Sequence, residues 1–266
     1  RRARRVRDEL GGVAAPGSRH VRWIERSDHR VAVGASPVDV SGRFRGDVVQ
    51  RVGTVVLTSA TLTTGGSFAF LRQRLGIDFE VDEAILPSPF DFPTQAALYL
   101  PPLPDPRAPA YFDAALDEIV RLVRLTRGGA FVLCTSLAMM RRLAEAARPR
   151  LTGLPVYLQG DAPKGALLTR FRDDGDAVLF ATMGFWEGID VPGDALRLVV
   201  IDKLPFDVPS DPLVEARCRE LEEAGERAFI RYRVPAAALG LKQGFGRLVR
   251  TRRDRGIVAV LDSRLT

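Results

Sequence analysis

Two arginines near the C-terminus carry the clearest chemical signal in the sequence. Arg247 and Arg250 lie three positions apart in Gln243–Arg250, whose one-letter sequence is QGFGRLVR. On a helix, residues three apart share one face, and the two glycines would let another backbone approach closely. A guanidinium group is planar and permanently charged, so two of them could bind a polyphosphate and stabilise the charge that develops during phosphoryl transfer. The alternative is an exposed basic helix.

Two further segments carry polar side chains that could serve the same kind of site. Thr58–Leu62 is a hydroxyl-rich turn that follows the apolar run Thr54–Leu57, and open α/β sheets bind ligands where their strands end. In Phe185–Gly193, the carboxylates of Glu187 and Asp190 could contact ribose hydroxyls or a metal-bound water. A helix-capping turn is the alternative for the first segment, and a purely structural turn is the alternative for the second.

The composition indicates a folded chain with an excess of positive charge. The 266 residues are 46% hydrophobic and 27% charged, close to the averages of globular proteins. The 39 basic and 33 acidic residues give a net charge of +6, which favours an anionic partner such as nucleic acid. No apolar run approaches the roughly 18 residues of a membrane span and no signal peptide is visible, so no membrane partner is expected. Because the sequence opens on arginine, we expect it to be a piece of a longer protein.

The rare residue types exclude several classes of site. Two cysteines and two histidines are too few for a four-thiolate zinc or iron–sulfur site, and they argue against a histidine-dependent hydrolase triad. No metal site is therefore predicted within these residues, and acid–base chemistry would fall to carboxylates. Cys134 is expected in the core of a strand and Cys218 on a helix. The sparse cysteines make the reducing cytoplasm the default location.

The apolar pattern predicts an α/β fold with a parallel sheet. Short apolar runs without polar alternation predict strands that are covered on both faces, namely Thr54–Leu57, Ala130–Cys134, Ala177–Ala181, Leu198–Ile201 and Ile257–Leu261. Amphipathic patterns between them predict helices over Tyr111–Leu125, Leu137–Ala147 and Asp211–Gly225. The proline-dense segment Leu86–Pro109 predicts a semi-rigid linker between two lobes, with a surface loop of one domain as the alternative.

The order of these motifs resembles motifs III, V and VI of superfamily 2 helicases. The segments that look like the bacterial DinG-type branch of the XPD-like helicases are Thr58–Leu62, Ser88–Phe90, Phe185–Gly193, Asp202–Phe206 and Gln243–Arg250, the last followed by Asp254, Gly256 and Asp262. The resemblance extends from about Trp23 to Leu265.

The resemblance implies a fold and a function. Helicases of this type bind ATP between two RecA-like lobes and translocate 5′ to 3′ on single-stranded DNA. Residues 1–86 would then be the C-terminal remnant of the first lobe, with motif III. Residues 87–266 would form the second RecA-like lobe, a parallel sheet with helices on both faces and motifs IV, V and VI. The parent protein would be an ATP-dependent DNA helicase of DNA repair or replication, with single-stranded DNA and DNA junctions as partners.

The resemblance also implies roles for individual residues. Arg247 and Arg250 would be the catalytic arginine fingers, and Ser59 and Thr61 would couple the nucleotide site to movement of the second lobe. The residues on the nucleotide side would be Gln243, Gly246, Glu187, Gly188 and Asp190. The contacts with the nucleic-acid backbone would come from Thr135, Ser136 and Thr182. Trp186 would either stack on DNA bases or pack in the core.

Two parts of such a motor are missing from the sequence. No Gly-x-x-x-x-Gly-Lys-Ser/Thr phosphate loop occurs, and Asp82–Ala84 follows the Ser-Ala-Thr turn, whereas the family's Asp-Glu-Ala-His box precedes it. The ligands of ATP and Mg²⁺ would thus lie mostly in the first lobe, and this segment alone is not expected to hydrolyse ATP. A catalytically silent nucleic-acid-binding module is the alternative, and the upstream sequence would distinguish the two.

Many XPD-like helicases hold an iron–sulfur cluster in the first lobe. The two cysteines present here lie outside the corresponding region. We therefore expect no cluster in this segment, while the resemblance leaves open whether the longer protein has one.

Overall fold

The computed structural model describes residues 11, 13, 19–27, 30–186, 191, 193–246 and 248–265. The chain divides into two compact units. The first unit comprises Arg1–Ile85 with Phe206–Ala237, and the second comprises Leu86–Pro205 with Ala238–Thr266. The sequence-based division assigns all of residues 87–266 to one domain, whereas here Phe206–Ala237 belongs to the first unit.

The helices and strands have the following bounds in chain order: β1 (His20–Ser27), β2 (Arg30–Pro37), α1 (Ser41–Asp47), α2 (Ala69–Leu75), α3 (Phe92–Gln95), β3 (Ala96–Tyr99), α4 (Tyr111–Leu125), β4 (Ala130–Cys134), α5 (Leu137–Ala147), β5 (Val156–Leu158), α6 (Lys164–Asp174), β6 (Val178–Thr182), α7 (Met183–Trp186), β7 (Leu198–Ile201), α8 (Pro212–Glu223), α9 (Val234–Phe245) and β8 (Gly256–Val260). Short 3-10 turns cover Val49–Arg51, Arg148–Arg150 and Ser263–Leu265, and a π-helical turn covers Phe229–Arg233.

The first unit contains the antiparallel hairpin of β1 and β2. The sequence predicts a strand over Thr54–Leu57, and this prediction is wrong: these residues pair with no strand of the described chain, and Val56 is 80% exposed. A continuous apolar run is stable as a strand only when neighbouring strands pair with it and both of its faces are covered. In the described part of this unit, Thr54–Leu57 has neither a partner strand nor two covered faces.

The second unit is built on a six-stranded sheet in the order β3-β8-β7-β4-β6-β5. Every neighbouring pair is parallel. Alternate side chains of the strands point to opposite faces, so each central strand contributes to two apolar layers. On one face, Val132 and Val200 pack in a cluster with residues of α4 and α5; on the other, Phe131 and Ile201 pack with Phe171 of α6. The predicted α/β class is confirmed.

The predicted secondary structure agrees closely at the centre of this sheet. Strands β4 and β7 and helices α4 and α5 have the predicted bounds, and β6 and β8 are displaced by one residue. Cys134 lies in β4 and is fully buried, as expected. Helix α8 begins after Asp211, whose carboxylate accepts hydrogen bonds from the backbone N–H groups of Leu213 and Val214, and Gly225 follows its end with a φ of +78°.

The proline-dense segment is more than a linker. Its proline-free stretch supplies β3, which pairs in parallel with β8 and forms one edge of the sheet. The prediction of a pure linker over Leu86–Pro109 is therefore wrong for these residues. Proline cannot donate to a strand ladder, so the strand is confined to the residues between Pro93 and Pro101.

Within the described residues, none of the helices combines the length and apolar character that crossing a membrane requires.

Candidate functional site

Polar side chains lie where the parallel strands of the second unit end. Thr135 follows β4, Gln159 follows β5, Thr182 ends β6 and Asp202 follows β7. Because all of these strands run in the same direction, their carboxyl ends form one edge of the sheet, the carboxyl edge. The backbone N–H and the hydroxyl of Thr182 donate to the side-chain oxygen of Gln159 at 2.8 and 3.0 Å. These two hydrogen bonds join the ends of β5 and β6.

Asp202 holds the end of β4 in the same way. Its carboxylate is fully buried and accepts hydrogen bonds from the backbone N–H of Thr135 at 2.9 Å and from the Thr135 hydroxyl at 3.4 Å. The hydroxyl of Tyr111 donates to the backbone carbonyl of Asp202. Burial raises the pKa of Asp202 to about 7, even though the hydrogen bonds from Thr135 and Lys203 oppose that shift.

Ser136, the next residue, begins a helix. Its hydroxyl accepts a hydrogen bond from the backbone N–H of Met139 at 3.2 Å, so Ser136 is the N-cap of α5. The structure thus brings Thr135, Ser136 and Thr182, the three residues predicted to contact nucleic acid, to the carboxyl edge. Thr135 and Thr182 are half-buried and Ser136 is exposed.

We expect Asp202→Asn to stabilise the protein at pH 8 more than at pH 5. The pKa of Asp202 is raised in the folded state, so the carboxyl stabilises the fold while protonated and this stability is lost as the pH rises from about 4 through about 7. Asparagine carries no charge at either pH. The difference between the two pH values should be about 2 kcal/mol in the free energy of unfolding, measured by urea denaturation.

Asp262→Asn is the matched control for this prediction. Asp262 is also buried, but hydrogen bonds from Arg264 and the backbone N–H of Leu204 outweigh its burial and hold its pKa below the ordinary value. Asp262→Asn should therefore destabilise the protein near neutral pH. An Asp202→Asn variant that loses stability equally at both pH values would contradict the assignment.

Arg250 lies in a turn, not on a helix. The spacing of Arg247 and Arg250 predicts that they share one face of a helix, but α9 ends at Phe245 and a bend at Arg250 precedes β8. Glycine has low helix propensity, and the segment has Gly244 and Gly246 near this point. The backbone N–H of Arg250 donates to the carboxylate of Asp254 at 2.7 Å, a partner that a continuing helix would not offer.

Asp254 is the centre of this turn. Besides Arg250, its carboxylate accepts hydrogen bonds from the backbone N–H of Thr251 at 2.8 Å, from the Thr251 hydroxyl at 2.6 Å and from the backbone N–H of Gly193. Burial alone would raise the pKa of Asp254, but these hydrogen bonds outweigh it and hold the pKa below the ordinary value. The ionised Asp254 therefore ties the turn of Arg250 to Gly193, the last residue of the segment Phe185–Gly193.

Gln95 fixes the same turn from the opposite side. Its side-chain amide donates to the backbone carbonyls of Thr251 at 2.9 Å and Asp254 at 3.0 Å, and its oxygen accepts from the backbone N–H of Asp91 at 3.0 Å. Gln95 is 5% exposed and immediately precedes β3. The Arg250 turn therefore lies at the amino ends of β3 and β8, at the edge of the sheet opposite to Thr135 and Thr182.

The other predicted nucleotide-side residues are described only in part. Gln243 lies exposed in the last turn of α9, and Gly246 follows the helix. Between them, a Cβ atom at Gly244 would lie 3.3 Å from Cδ1 of Ile201, so a small residue lets α9 approach the end of β7. Four predicted residues lie outside the described residues: Arg247, Glu187, Gly188 and Asp190.

Ser59 and Thr61 belong to the first unit. The hydroxyl oxygen of Ser59 lies 3.3 Å from that of Thr61 and accepts a hydrogen bond from the backbone N–H of Thr61 at 3.2 Å. This is a local turn closed by a serine side chain. Ser59 is exposed and Thr61 is half-buried.

The sequence patterns described above indicate no role for the residues that hold these turns. An acidic residue directly after an apolar strand, as in Ile201-Asp202 and Leu261-Asp262, is the one local signal for them. Gln95 and Gln159 gave no such signal, because their partners are distant in sequence. Among the described residues, no group of three or more histidine, cysteine and acidic side chains could hold a metal ion.

The fold identifies a class of protein. An XPD helicase structure superposes with a TM-score of 0.68 at 16% identity, over 96% of this chain and 46% of that one. Xpd4 from S. tokodaii superposes with a TM-score of 0.55 at 19% identity, over 88% of this chain and 44% of that one. At such identities the likeness establishes the fold alone, which is that of RecA-like helicase domains, as predicted.

The sequence then gives the family. The profile of the family described as Helicase C-terminal domain matches residues 119–266, more than half of the chain. The chain belongs to this family.

Two relatives confirm the resemblance to DinG-type helicases. The chain is 41% identical over 244 residues to the ATP-dependent DNA helicase YoaA of Escherichia coli, covering 91% of this chain and 38% of that protein. It is 39% identical over 260 residues to the ATP-dependent helicase DinG of Mycobacterium tuberculosis, covering 95% of this chain and 39% of that protein. The chain thus spans about two fifths of the length of these relatives.

Proposed function

We propose that this chain is the C-terminal part of a longer ATP-dependent DNA helicase, which couples ATP hydrolysis to 5′-to-3′ movement on single-stranded DNA. The observation that carries the proposal is the Arg250 turn. In a helicase C-terminal domain, the backbone of this turn is held by Asp254 and Gln95. A backbone held in this way would position the guanidinium of Arg250, and a positioned charge stabilises a transition state without the cost of reorganisation.

Residues 87–266 would supply the second RecA-like lobe, with the parallel sheet of the second unit as its core. Arg250, together with Arg247, would reach the phosphates of ATP bound by the first lobe and stabilise the charge that develops there. Gln243 and Gly246 would lie on the nucleotide side, as would Glu187, Gly188 and Asp190 of motif V. The tie between Asp254 and Gly193 supports this role, because it joins the segments of motifs V and VI.

Residues 1–86 would complete a first lobe whose other part precedes this sequence. The exposed apolar run Thr54–Leu57 supports this assignment, since it has the composition of a buried parallel strand but no partner strand in the described chain. Ser59 and Thr61, in the turn directly after it, would couple the nucleotide to movement of the second lobe.

The carboxyl edge would contact the phosphate backbone of single-stranded DNA. Thr135, Ser136 and Thr182 supply hydroxyls and backbone N–H groups there, and such groups bind phosphate without reading the base sequence. DNA junctions, a place in DNA repair or replication and a cytoplasmic location belong to the same proposal.

Of an ATP–Mg²⁺ complex, the described residues would bind only the phosphate groups. Arg250 can approach a phosphate, but the described residues hold no cluster of metal ligands, and the sequence has no phosphate loop. Mg²⁺ and most of the nucleotide would be bound by the first lobe, where Mg²⁺ supplies charge neutralisation for phosphoryl transfer. An iron–sulfur cluster, if the longer protein has one, would also lie there.

Unwinding by the full-length protein tests the proposal. A fluorescent strand should be released from a duplex with a 5′ single-stranded tail when ATP is present, and not from a duplex with a 3′ tail. The chain alone, as the control, should release no strand. A full-length protein that binds the tailed duplex but never unwinds it would favour a catalytically silent nucleic-acid-binding module.

A further inference from the structure

Two arginines of the first unit lie against one tyrosine, and a third arginine follows that tyrosine in the chain. Tyr232 is buried in the π-helical turn, and the guanidinium carbon atoms of Arg74 and Arg217 lie 5.3 and 5.9 Å from the centre of its ring. Arg233 is the next residue along the chain, and the ring of Phe70 packs against Tyr232 at 6.3 Å. We name Arg74, Arg217, Arg233 and Tyr232 the Tyr232 cluster.

The arginines of the Tyr232 cluster differ in how their donors are used. Arg217 donates to the backbone carbonyl of Val38 at 3.0 Å and to the Tyr232 hydroxyl at 3.2 Å. Arg233 donates to the backbone carbonyl of Asp207 at 3.0 Å, but its Nε is buried without a hydrogen-bond partner. Arg74 is half-buried and forms neither a hydrogen bond nor an ion pair with any described residue. The donors of Arg74 and the Nη2 of Arg217 form no hydrogen bond with the described residues and thus remain for a ligand.

The charges around Arg74 leave the cluster positive. Burial and the charge of Arg217 lower the pKa of Arg74, while the weaker effects of Asp207 and Asp39 raise it. Both carboxylate oxygens of Asp39 already accept hydrogen bonds from Ser41, at 2.8 and 2.7 Å. Asp39 also lies near the positive charge of Arg19. Three cations, Arg19, Arg74 and Arg217, therefore share two carboxylates, and neither carboxylate forms an ion pair with Arg74.

We propose that the Tyr232 cluster binds a phosphate group through Arg74 and Arg217. A phosphate offers several acceptors to planar guanidinium forks and supplies the negative charge that the cluster lacks. Tyr232 is only 7% exposed, so its ring supports the arginines and is not available for stacking on a base. The site would therefore recognise a phosphate without reading a base, either as part of a nucleic-acid strand or in a free polyphosphate.

Arg74→Gln tests the site, with Arg219→Gln as the matched control. Both changes remove one positive charge, but Arg219 is exposed on α8 and paired with Glu215. Arg74→Gln breaks no hydrogen bond of the described structure, so circular dichroism should show an unchanged fold. Should Arg74→Gln fail to fold, Arg74→Lys keeps the charge without the planar fork and should weaken phosphate binding in part.

Two measurements identify the source of the phosphate. Fluorescence anisotropy with a labelled 20-nucleotide oligothymidylate measures strand binding at several NaCl concentrations. If the site binds a phosphate of a nucleic-acid strand, Arg74→Gln should weaken strand binding about fivefold. It should also reduce the slope of log affinity against log salt concentration by about 0.7, which is the contribution of one phosphate contact. If the site binds a free polyphosphate, pyrophosphate should raise the Tm of the unsubstituted protein at constant ionic strength. Arg74→Gln should abolish this rise and leave the affinity for the strand unchanged.

Equal behaviour of Arg74→Gln and Arg219→Gln in both measurements would overturn the proposal. The inference does not rest on ATP hydrolysis. A protein without ATPase activity that still shows the Arg74-dependent effect would leave the phosphate site in place, while the proposed function would fail.

Discussion

Replacing Arg250 by alanine in the full-length protein should lower its ATPase rate by about a hundredfold to a thousandfold. The guanidinium would stabilise charge that develops only in the transition state, so its loss should reduce kcat far more than it raises KM. Affinity for single-stranded DNA should change by less than about twofold, because Arg250 and the carboxyl edge lie at opposite edges of the sheet. Steady-state ATPase assays and fluorescence anisotropy measure the two effects.

Arg252→Ala provides the control for this prediction. Arg252 lies in the same turn and carries the same charge, but it is exposed. Its replacement should leave kcat within about twofold, since an exposed charge contributes little to a distant reaction. If Arg250→Ala and Arg252→Ala had equal and small effects, Arg250 would not be a catalytic arginine.

Replacing Asp254 by alanine should lower the free energy of unfolding by about 3 kcal/mol. The change removes the acceptor of the backbone N–H groups of Arg250, Thr251 and Gly193. Donors left buried without a partner are costly, and bonds to a charged acceptor are stronger than average. Urea denaturation of the chain at pH 7 measures the loss.

Asp254→Asn separates the charge from the shape of this side chain. Asparagine keeps one acceptor oxygen but turns an amide N–H₂ toward the backbone donors, so it should rescue only part of the stability. The exposed Asp173→Ala is the control and should change stability by less than about 0.5 kcal/mol. A loss for Asp254→Ala that is no larger than this would mean that the turn is held by other contacts, with Gln95 the first candidate.

The centre of the sheet could be predicted from the sequence because its signal is local and unambiguous. Ala130–Cys134 and Leu198–Ile201 are uninterrupted apolar runs, and a parallel strand covered on both faces requires that composition. The helices Tyr111–Leu125 and Leu137–Ala147 have a clear apolar face. In these segments, local preference and tertiary burial favour the same structure.

The remaining elements depend on partners that the sequence does not reveal. Thr54–Leu57 has the composition of a buried strand, yet it forms none without neighbouring strands. The edge strand Ala96–Tyr99 lies among prolines and is fixed by its pairing with β8. The conformation of Arg250 depends on Gln95, which reaches Thr251 from 156 positions away in the sequence. A helical pattern around Arg250 could not predict that contact.

ATP hydrolysis by the full-length protein, measured with and without single-stranded DNA, tests the central claim most directly. If the chain is the second lobe of a helicase motor, the full-length protein should hydrolyse ATP faster when DNA is present, and the chain alone should not hydrolyse ATP. A folded full-length protein that binds single-stranded DNA without hydrolysing ATP would contradict the claim, and its arginines would then form a phosphate-binding surface without catalysis.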